Sequence, residues 1–261
     1  AQPLQELINV ATSTSHAVFN YRVQPLRDIA GDAGYVYLAD GGNVLNVSGS
    51  VRGIEAGLGD DIIKVGDSID VINLGQGNNK LVVGEIPRVG ESYVKSLVAG
   101  QGNDDIAVRG NLLSASLGEG RNTVDVRGTL GSLSTGHGDD QVYVGGDACS
   151  LSLGNGRNYV SVAGSLASLS TGCHDDEVYV ARDARSLSLG DGNNQVGISG
   201  NLASLSVGHG NDIVAVGGDA QSLSMGHGDN IVRVGGNLAS ISSGHGLDQV
   251  TVEGNLASAS L

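Results

Sequence analysis

The sequence predicts an all-β fold, a right-handed parallel β-helix or β-roll-like solenoid of about 12 coils with 18 residues each. Glycine recurs at a fixed spacing, and short pieces of alternating apolar and polar residues follow it. Aromatic residues make up only 3% of the chain, so a conventional globular core is not expected. Self-similarity at a fixed period is the signature of a solenoid whose coils stack on one another. We therefore expect one elongated body.

The repeat is marked by the first glycine of each loop. Each coil divides into two halves, G-x-G-x-[D/N]-x-V-x-V and x-G-x-L-x-S-L-S-x. Glycine, asparagine and aspartate supply the positive φ angles of tight corners, and the alternating V-x-V pieces read as strands with one buried face. The step is 18 residues except for one of 25, and the markers are Gly57, Gly75, Gly100, Gly118, Gly136, Gly154, Gly172, Gly190, Gly208, Gly226 and Gly244.

The interior is predicted as four rows that run along the solenoid. Two rows come from the V-x-V half, one from the leucine half, and the fourth alternates alanine with leucine so that adjacent coils interdigitate. They are Val142, Val160, Val178, Val196, Val214 and Val232; Val144, Val162, Val180, Ile198, Val216 and Val234; Leu151, Leu169, Leu187, Leu205, Leu223 and Ile241; and Ala148, Leu166, Ala184, Leu202, Ala220 and Leu238.

The two ends of the chain depart from the repeat. Residues 1–38 are predicted to form an N-terminal cap, with helical spacing at 4–11 and a strand at 17–23. The solenoid is predicted over residues 39–261, with an insertion near 84–99 that forms a loop on one edge. No cap follows the last coil, so we expect self-association through the uncapped C-terminal coil.

Charge and hydropathy exclude several classes of function. The net charge is −14, which argues against nucleic acid and anionic membranes as partners and favours cations or basic partners. No apolar run reaches the length of a membrane span, so membrane insertion is not expected.

The loop half of the repeat resembles the RTX nonapeptide of secreted bacterial proteins, G-G-x-G-x-D-x-U-x. Residues 136–142 and 208–214 are the matching stretches, GHGDDQV and GHGNDIV. The resemblance implies a β-roll of a secreted or cell-surface bacterial protein that binds Ca²⁺ between coils. It also extends to Ca²⁺-binding β-helices of large bacterial surface adhesins, including ice-binding regions. Calcium is therefore the cofactor that the resemblance implies.

One row of acidic residues bears on whether the solenoid binds calcium. The RTX-like aspartates alternate strictly with asparagine, whereas a Ca²⁺ ladder needs carboxylates in consecutive coils. Asparagine amides and the side chains of Arg121 and Arg157 are expected to compensate the charges in place of calcium. The candidate calcium row is Asp61, Asp104, Asp140, Asp176, Asp212 and Asp248, and the intervening residues are Asn79, Asn122, Asn158, Asn194 and Asn230.

Three histidines occupy the same loop position in consecutive coils: His209, His227 and His245. Stacked imidazoles about 5 Å apart are candidates for a shared transition metal or for a pH-sensitive tip. The alternative is a polar loop tip repeated by duplication.

Paired serines recur in every coil from Ser114 onward. Side chains two positions apart in a strand share a face, so the pairs predict a flat lattice of hydroxyl groups. Such a surface orders water, contacts polysaccharide or accepts glycans, although it is also what a solvated sheet face looks like. The candidate binding residues are Ser150, Ser152, Ser168, Ser170, Ser204 and Ser206.

We found no nucleophile–base arrangement, phosphate loop or zinc pattern. We therefore expect a non-catalytic solenoid of a secreted or surface-exposed bacterial protein. It would act as a structural, adhesive or surface-binding module, with a protein or polysaccharide surface as partner. The alternative is a domain of a secreted toxin or effector, or of a polysaccharide-active β-helix enzyme.

Overall fold

The chain folds as a parallel β-solenoid of two long sheets. The structure, a computed structural model, describes residues 14–18, 27–84 and 92–261. Sheet A has 14 strands and sheet B has 13, and odd-numbered strands alternate with even-numbered ones along the chain. Every neighbouring pair is parallel, as in the pairing of Gln141–Val144 with Tyr159–Val162 and of Ala148–Ser152 with Leu166–Ser170. The predicted fold class is confirmed, with about 13 turns.

The strands of each sheet are short and uniform. Sheet A consists of β1 Thr14–Val18, β3 Ala33–Tyr37, β5 Val51–Glu55, β7 Ile69–Asn73, β9 Tyr93–Val98, β11 Asn111–Ser116, β13 Leu130–Ser134, β15 Ala148–Ser152, β17 Leu166–Ser170, β19 Ala184–Ser188, β21 Leu202–Ser206, β23 Ala220–Ser224, β25 Leu238–Ser242 and β27 Leu256–Ser260. Sheet B consists of β2 Arg27–Ile29, β4 Val44–Val47, β6 Ile62–Val65, β8 Lys80–Val83, β10 Asp105–Val108, β12 Thr123–Val126, β14 Gln141–Val144, β16 Tyr159–Val162, β18 Glu177–Val180, β20 Gln195–Ile198, β22 Ile213–Val216, β24 Ile231–Val234 and β26 Gln249–Val252.

Glycine at the corners lets successive coils approach closely. Gly138 has φ +150°, and a Cβ placed there would lie 2.0 Å from the carbonyl oxygen of Gly120 in the preceding coil. No side chain fits that space, and the backbone N–H of Gly138 instead donates to the Asn155 carbonyl of the next coil at 2.8 Å. The corner glycines therefore allow successive coils to stack at this close distance.

The core is a continuous column between the two sheets. Every residue of the four predicted interior rows is buried, including Val142, Leu151 and Leu166. Deleting one of the large side chains would leave a cavity that costs about 2–5 kcal/mol. The alternation of Ala148 with Leu166 along the fourth row is retained in the packing.

The solenoid begins earlier than the predicted boundary at residue 39. β1 pairs with β3, and β2 pairs with β4, so the described part of residues 1–38 already continues both sheets. Thr14 pairs with Ala33, a step of 19 residues without the usual corner glycine, which hides this coil from a search for an 18-residue period. The helical spacing predicted at 4–11 and most of the strand predicted at 17–23 lie outside the described residues.

The predicted insertion at 84–99 is narrower than expected. Its second half contains β9, which pairs in step with β7 and β11. Ile69 pairs with Val94, so the 25-residue step is absorbed between β8 and β9. Residues 85–91 of this segment lie outside the described residues. Across the described ranges, no helix is long and apolar enough to cross a membrane.

Candidate functional site: the side-chain ladders and the serine face

The alternating Asp and Asn residues form one hydrogen-bonded ladder inside the solenoid, just before each sheet B strand. The Asn194 backbone N–H donates to Asp212 Oδ1 at 2.8 Å, and the Asp176 N–H donates to Asn194 Oδ1 at 3.1 Å. Asn194 Nδ2 also donates to Asp212 Oδ1 at 2.9 Å and to the Gly192 carbonyl at 3.0 Å. Each amide thus joins three successive coils, as predicted for the compensation of the aspartates.

The second carboxylate oxygen of these aspartates lacks a partner. Oδ2 is buried without a hydrogen bond in Asp61, Asp104, Asp140, Asp176 and Asp212. Burial raises the pKa of Asp61, Asp104 and Asp212 to about 6, despite hydrogen bonds from the neighbouring asparagine. Burial also raises the pKa of Asp140 and Asp176. At the buried positions from Asp61 to Asp212, the ladder therefore disfavours the charged carboxylate relative to an exposed aspartate.

Asp248, in the last coil, differs from the buried aspartates of the ladder in two ways: it is only partly buried, and its Oδ2 has a partner. Ser243 Oγ donates to Asp248 Oδ2. Burial acts to raise the pKa of Asp248, but the hydrogen bonds from Ser243 and Asn230 outweigh it and hold the pKa below its usual range. Val207 occupies the position equivalent to Ser243 in the Asp212 coil, and it has no donor.

A further row alternates together with the ladder, five positions before each of its members. The aspartate coils carry a smaller residue there, and the asparagine coils carry leucine or methionine. This row is not among those predicted from the sequence, although it repeats over two coils in phase with the Asp/Asn alternation. Its members are Leu38, Ala56, Leu74, Ala99, Leu117, Thr135, Leu153, Thr171, Leu189, Val207, Met225 and Ser243.

The ladder does not fit Ca²⁺. Calcium takes six to eight oxygen ligands, about 2.3–2.6 Å away. Here Oδ1 of Asp212 is occupied by two N–H donors from Asn194, and the nearest carboxylates of the row lie two coils away. Only Oδ2 remains at each aspartate from Asp61 to Asp212. In the part of the chain that the structure describes, no group of three or more His, Cys, Asp or Glu side chains is placed to hold a metal ion.

Arginine occupies part of the outer loop row. Arg121 Nε lies 3.8 Å from Asp139 Oδ2, and Arg157 Nη2 lies 3.8 Å from Asp175 Oδ2. The sequence predicts Arg121 and Arg157 beside Asp139 and Asp140; the structure places Arg121 beside Asp139 and Arg157 beside Asp175, both exposed carboxylates of the outer row rather than members of the ladder. Such exposed pairs contribute little stability, about 0–1 kcal/mol.

We predict that EDTA leaves the thermal melt of the solenoid unchanged, because the ladder takes its donors from asparagine amides. The melt is followed by circular dichroism at neutral pH, with EDTA and then with added CaCl₂. A Ca²⁺-dependent RTX domain run in parallel supplies the positive control. Loss of β signal in EDTA that calcium restores would contradict the prediction.

The predicted histidine row is formed, at the exposed loop edge. The rings of His209 and His227 are 4.9 Å apart, and those of His227 and His245 stack at 5.2 Å with an interplanar angle of 14°. His227 Nδ1 accepts the backbone N–H of His245 at 2.8 Å, and His209 Nδ1 lies 3.1 Å from Asp191 Oδ1. These contacts occupy Nδ1 of His209 and His227, so a shared metal would have only Nε2 of those two rings. The transition-metal role stays a prediction without a convergent donor set.

The tip residues bridge successive coils through their side chains. Glu119 accepts the N–H of His137, His137 Nδ1 accepts the N–H of Asn155, and Asn155 accepts the N–H of Cys173. Glutamate, histidine and asparagine share the ability to accept a hydrogen bond. The histidines therefore take part in the same backbone capping as their neighbours.

The predicted serine lattice is present on sheet A. Two rows of exposed serines run in register over β11 to β27, and we call them together the serine face. The candidate residues Ser150 and Ser152 pair with Ser168 and Ser170 on the next strand, and Ser204 and Ser206 continue the same rows. Its full membership is Ser114, Ser116, Ser132, Ser134, Ser150, Ser152, Ser168, Ser170, Ser186, Ser188, Ser204, Ser206, Ser222, Ser224, Ser240, Ser242, Ser258 and Ser260.

A third outward row lies beside the serine face. In each strand the residue before the first serine also faces outward, as at Ala167, Ala203 and Ala239. Most members are small, and a shallow groove runs along this row. Leu113, Arg185 and Gln221 are its large exceptions. The serine face is thus edged by methyl groups in alternate coils, which the serine pattern alone did not indicate.

The comparisons with known proteins support the fold. No protein-family model matches the chain, and no curated protein matches it. One solved structure is similar, a hyperactive, Ca²⁺-dependent, β-helical antifreeze protein from an Antarctic bacterium. It is 21% identical, with a TM-score of 0.66, and the match covers 85% of this chain and 79% of that one. At this identity the likeness shows the β-helical fold alone.

Proposed function

We propose that this chain is a non-catalytic solenoid of a secreted or surface-exposed bacterial protein, and that it binds an extended, periodic surface through its serine face. The serine face itself carries the proposal. Its hydroxyls repeat at about 4.8 Å along the solenoid and about 7 Å along each strand. Because both sheets are built from stacked parallel strands, this lattice is regular in two directions. It therefore matches a target whose own groups repeat, rather than a single small ligand.

Ice is the periodic surface that the observations favour. The similar solved structure is that of an antifreeze protein with the same β-helical architecture. The alanines beside the serine face place methyl groups next to hydroxyls, so apolar and polar groups alternate across the outer surface of sheet A. Water held on such a lattice can join an ice crystal in register. A crystalline polysaccharide surface is the alternative target.

The proposal is tested by placing one bulky, charged side chain in the middle of the serine face. Ser168→Lys is expected to abolish thermal hysteresis and the incorporation of labelled protein into a growing ice hemisphere. A lysine at this position lifts the surface away from the ice lattice. Ala215→Lys is the matched control, because Ala215 is exposed on the opposite face, in sheet B, and the added charge is the same.

The outcomes separate the possible targets. Equal loss in both lysine variants, or wild-type protein that enters neither ice nor a crystalline chitin or cellulose pellet, would overturn the proposal. Sedimentation with the polysaccharides alone, lost in Ser168→Lys, would keep the serine face as the binding surface and replace ice as its target.

Arg185→Ala is expected to raise thermal hysteresis activity severalfold. Arg185 is an exposed, charged side chain in the row beside the serine face, where the flanking coils carry Ala167 and Ala203. Removing the Arg185 side chain extends the row of small side chains beside the serine face and leaves every serine in place. Unchanged or lower activity would show that ice does not contact this row.

A further inference from the structure

Three tyrosines form a continuous strip on the outer face of sheet B. Tyr143, Tyr159 and Tyr179 lie on the consecutive strands β14, β16 and β18. The ring centroids of Tyr143 and Tyr159 are 5.5 Å apart, and those of Tyr159 and Tyr179 are 6.1 Å apart. The rings are tilted by 42° and 52°, so they follow one another in a zigzag along the solenoid axis. We call these residues the tyrosine strip.

Small residues leave room around the rings. Tyr143 and Tyr179 belong to one outward-facing row of sheet B, with Ser161 between them and Gly197 after them. A Cβ placed on Gly197 would lie 2.9 Å from Tyr179 Cδ1, so the Tyr179 ring leans along the axis over that glycine. The ring therefore lies across the sheet surface. Tyr143 is 38% exposed.

Polar side chains flank the strip and reach its hydroxyl groups. Tyr179 Oη donates to Glu177 Oε1 at 2.5 Å and accepts from Gln195 Nε2 at 2.9 Å. Tyr143 Oη donates to Gln141 Oε1 at 3.3 Å. Planar amides and carboxylates at the edge of an aromatic surface can each contact two neighbouring hydroxyls of a ligand.

The local charge limits the choice of ligand. The outward residues of the five strands from β12 to β20 include two acidic groups and no basic group, and all of them lie within the described residues. An acidic ligand would meet net negative charge on these outward residues. These outward residues are Thr123, Asp125, Gln141, Tyr143, Tyr159, Ser161, Glu177, Tyr179, Gln195 and Gly197.

We propose that the tyrosine strip is a binding site for a neutral polysaccharide, whose pyranose rings lie against successive aromatic rings. The apolar C–H faces of a sugar pack on aromatic rings, and its hydroxyls bond to flanking polar groups. The ring separations are comparable to the length of one sugar unit, so a glycan can follow the strip along the solenoid. This site lies on sheet B, and its argument does not depend on the serine face on sheet A.

The experiment is native affinity electrophoresis of the whole chain in gels that contain one polysaccharide each. The neutral probes are hydroxyethylcellulose, laminarin, galactomannan and dextran, and the acidic probes are polygalacturonate and alginate. We expect at least one neutral probe, and neither acidic probe, to retard the protein. Tyr143→Ala and Tyr179→Ala should each weaken that binding roughly tenfold, as expected for truncation of an aromatic anchor.

Matched variants separate stacking from general effects. Tyr37→Ala is the control, because Tyr37 lies on sheet A and is 39% exposed, close to the value for Tyr143. Tyr143→Phe should retain most of the affinity, since it keeps the ring. Gly197→Ala should weaken binding by displacing the Tyr179 ring.

Three results would overturn the proposal: no neutral probe retards the protein, the acidic probes retard it instead, or Tyr37→Ala weakens binding as much as the strip variants. Circular dichroism melts of each variant check that the solenoid is intact.

Discussion

Replacing Asn194 with alanine is expected to destabilise the solenoid by about 3–5 kcal/mol. The Asn194 amide donates to Asp212 and to the Gly192 carbonyl, and its oxygen accepts the Asp176 N–H. Alanine removes these bonds from a buried position, together with the Nδ2 bond to the Gly190 carbonyl at 3.2 Å. The Asp176 N–H then loses its partner, and Asp212 Oδ1 keeps only the backbone N–H of residue 194. The midpoint of urea unfolding, followed by circular dichroism, measures the loss.

Asn193→Ala is the matched control for this prediction. Asn193 is the adjacent residue of the same type, but it is exposed at the loop tip, where it accepts the Asn211 N–H at 2.9 Å. Water can replace this bond, so we expect a cost of only about 0.5–1.5 kcal/mol. Equal effects of the two substitutions would mean that the buried ladder is no more important than the tips.

Asp212→Asn is expected to stabilise the protein at pH 8 by about 1–3 kcal/mol and to have little effect near pH 4. The pKa of Asp212 is raised to about 6 in the folded state, against an ordinary value of 3.8. Its contribution to stability is thus complete below pH 3.8 and is lost as the pH rises through about 6. An amide at this position carries no charge, and equivalence with Asn194 gives it the Gly210 carbonyl as acceptor.

The difference in unfolding free energy between Asp212→Asn and the wild type, measured from pH 4 to pH 8, tests this sign. Taking the difference removes the titration of the histidines and of other carboxyl groups. Asp248→Asn is the control, and we expect it to destabilise the protein at pH 8. The pKa of Asp248 is held below its usual range, and its carboxylate has a partner in Ser243. A stabilisation by Asp212→Asn that does not grow with pH would contradict the raised pKa of Asp212.

The fold could be predicted because each short strand repeats one local rule. Corner glycines such as Gly138 and alternating valines such as Val142 and Val144 specify strand, corner and buried face without long-range information. The first coil was missed because its 19-residue step breaks the period. The insertion was drawn too wide because Tyr93–Val98 lacks the serine pair, although it forms a regular strand.

The site was predictable only in part. The Asp/Asn alternation and the serine rows are visible as residue types, so their positions followed directly. The capping role of His137 and His227 was not visible, because the tip residues share no residue type and only the backbone geometry reveals that each accepts an N–H. Likewise, the unpartnered Oδ2 atoms depend on how the carboxylates are oriented inside the coil.

The alternation of aspartate coils with asparagine coils restricts the changes in length that such a chain tolerates. Loss of one coil, for example the residues from Gly190 to Val207, would place the Asp176 and Asp212 carboxylates in neighbouring layers and remove the amide that separates them. It would also remove Val207 and bring two large residues, Leu189 and Met225, together in the row of alternating size. Loss of two coils preserves both patterns. Viable length variants should therefore differ by 36 residues, twice the 18-residue step, so that the unit of duplication is the coil pair.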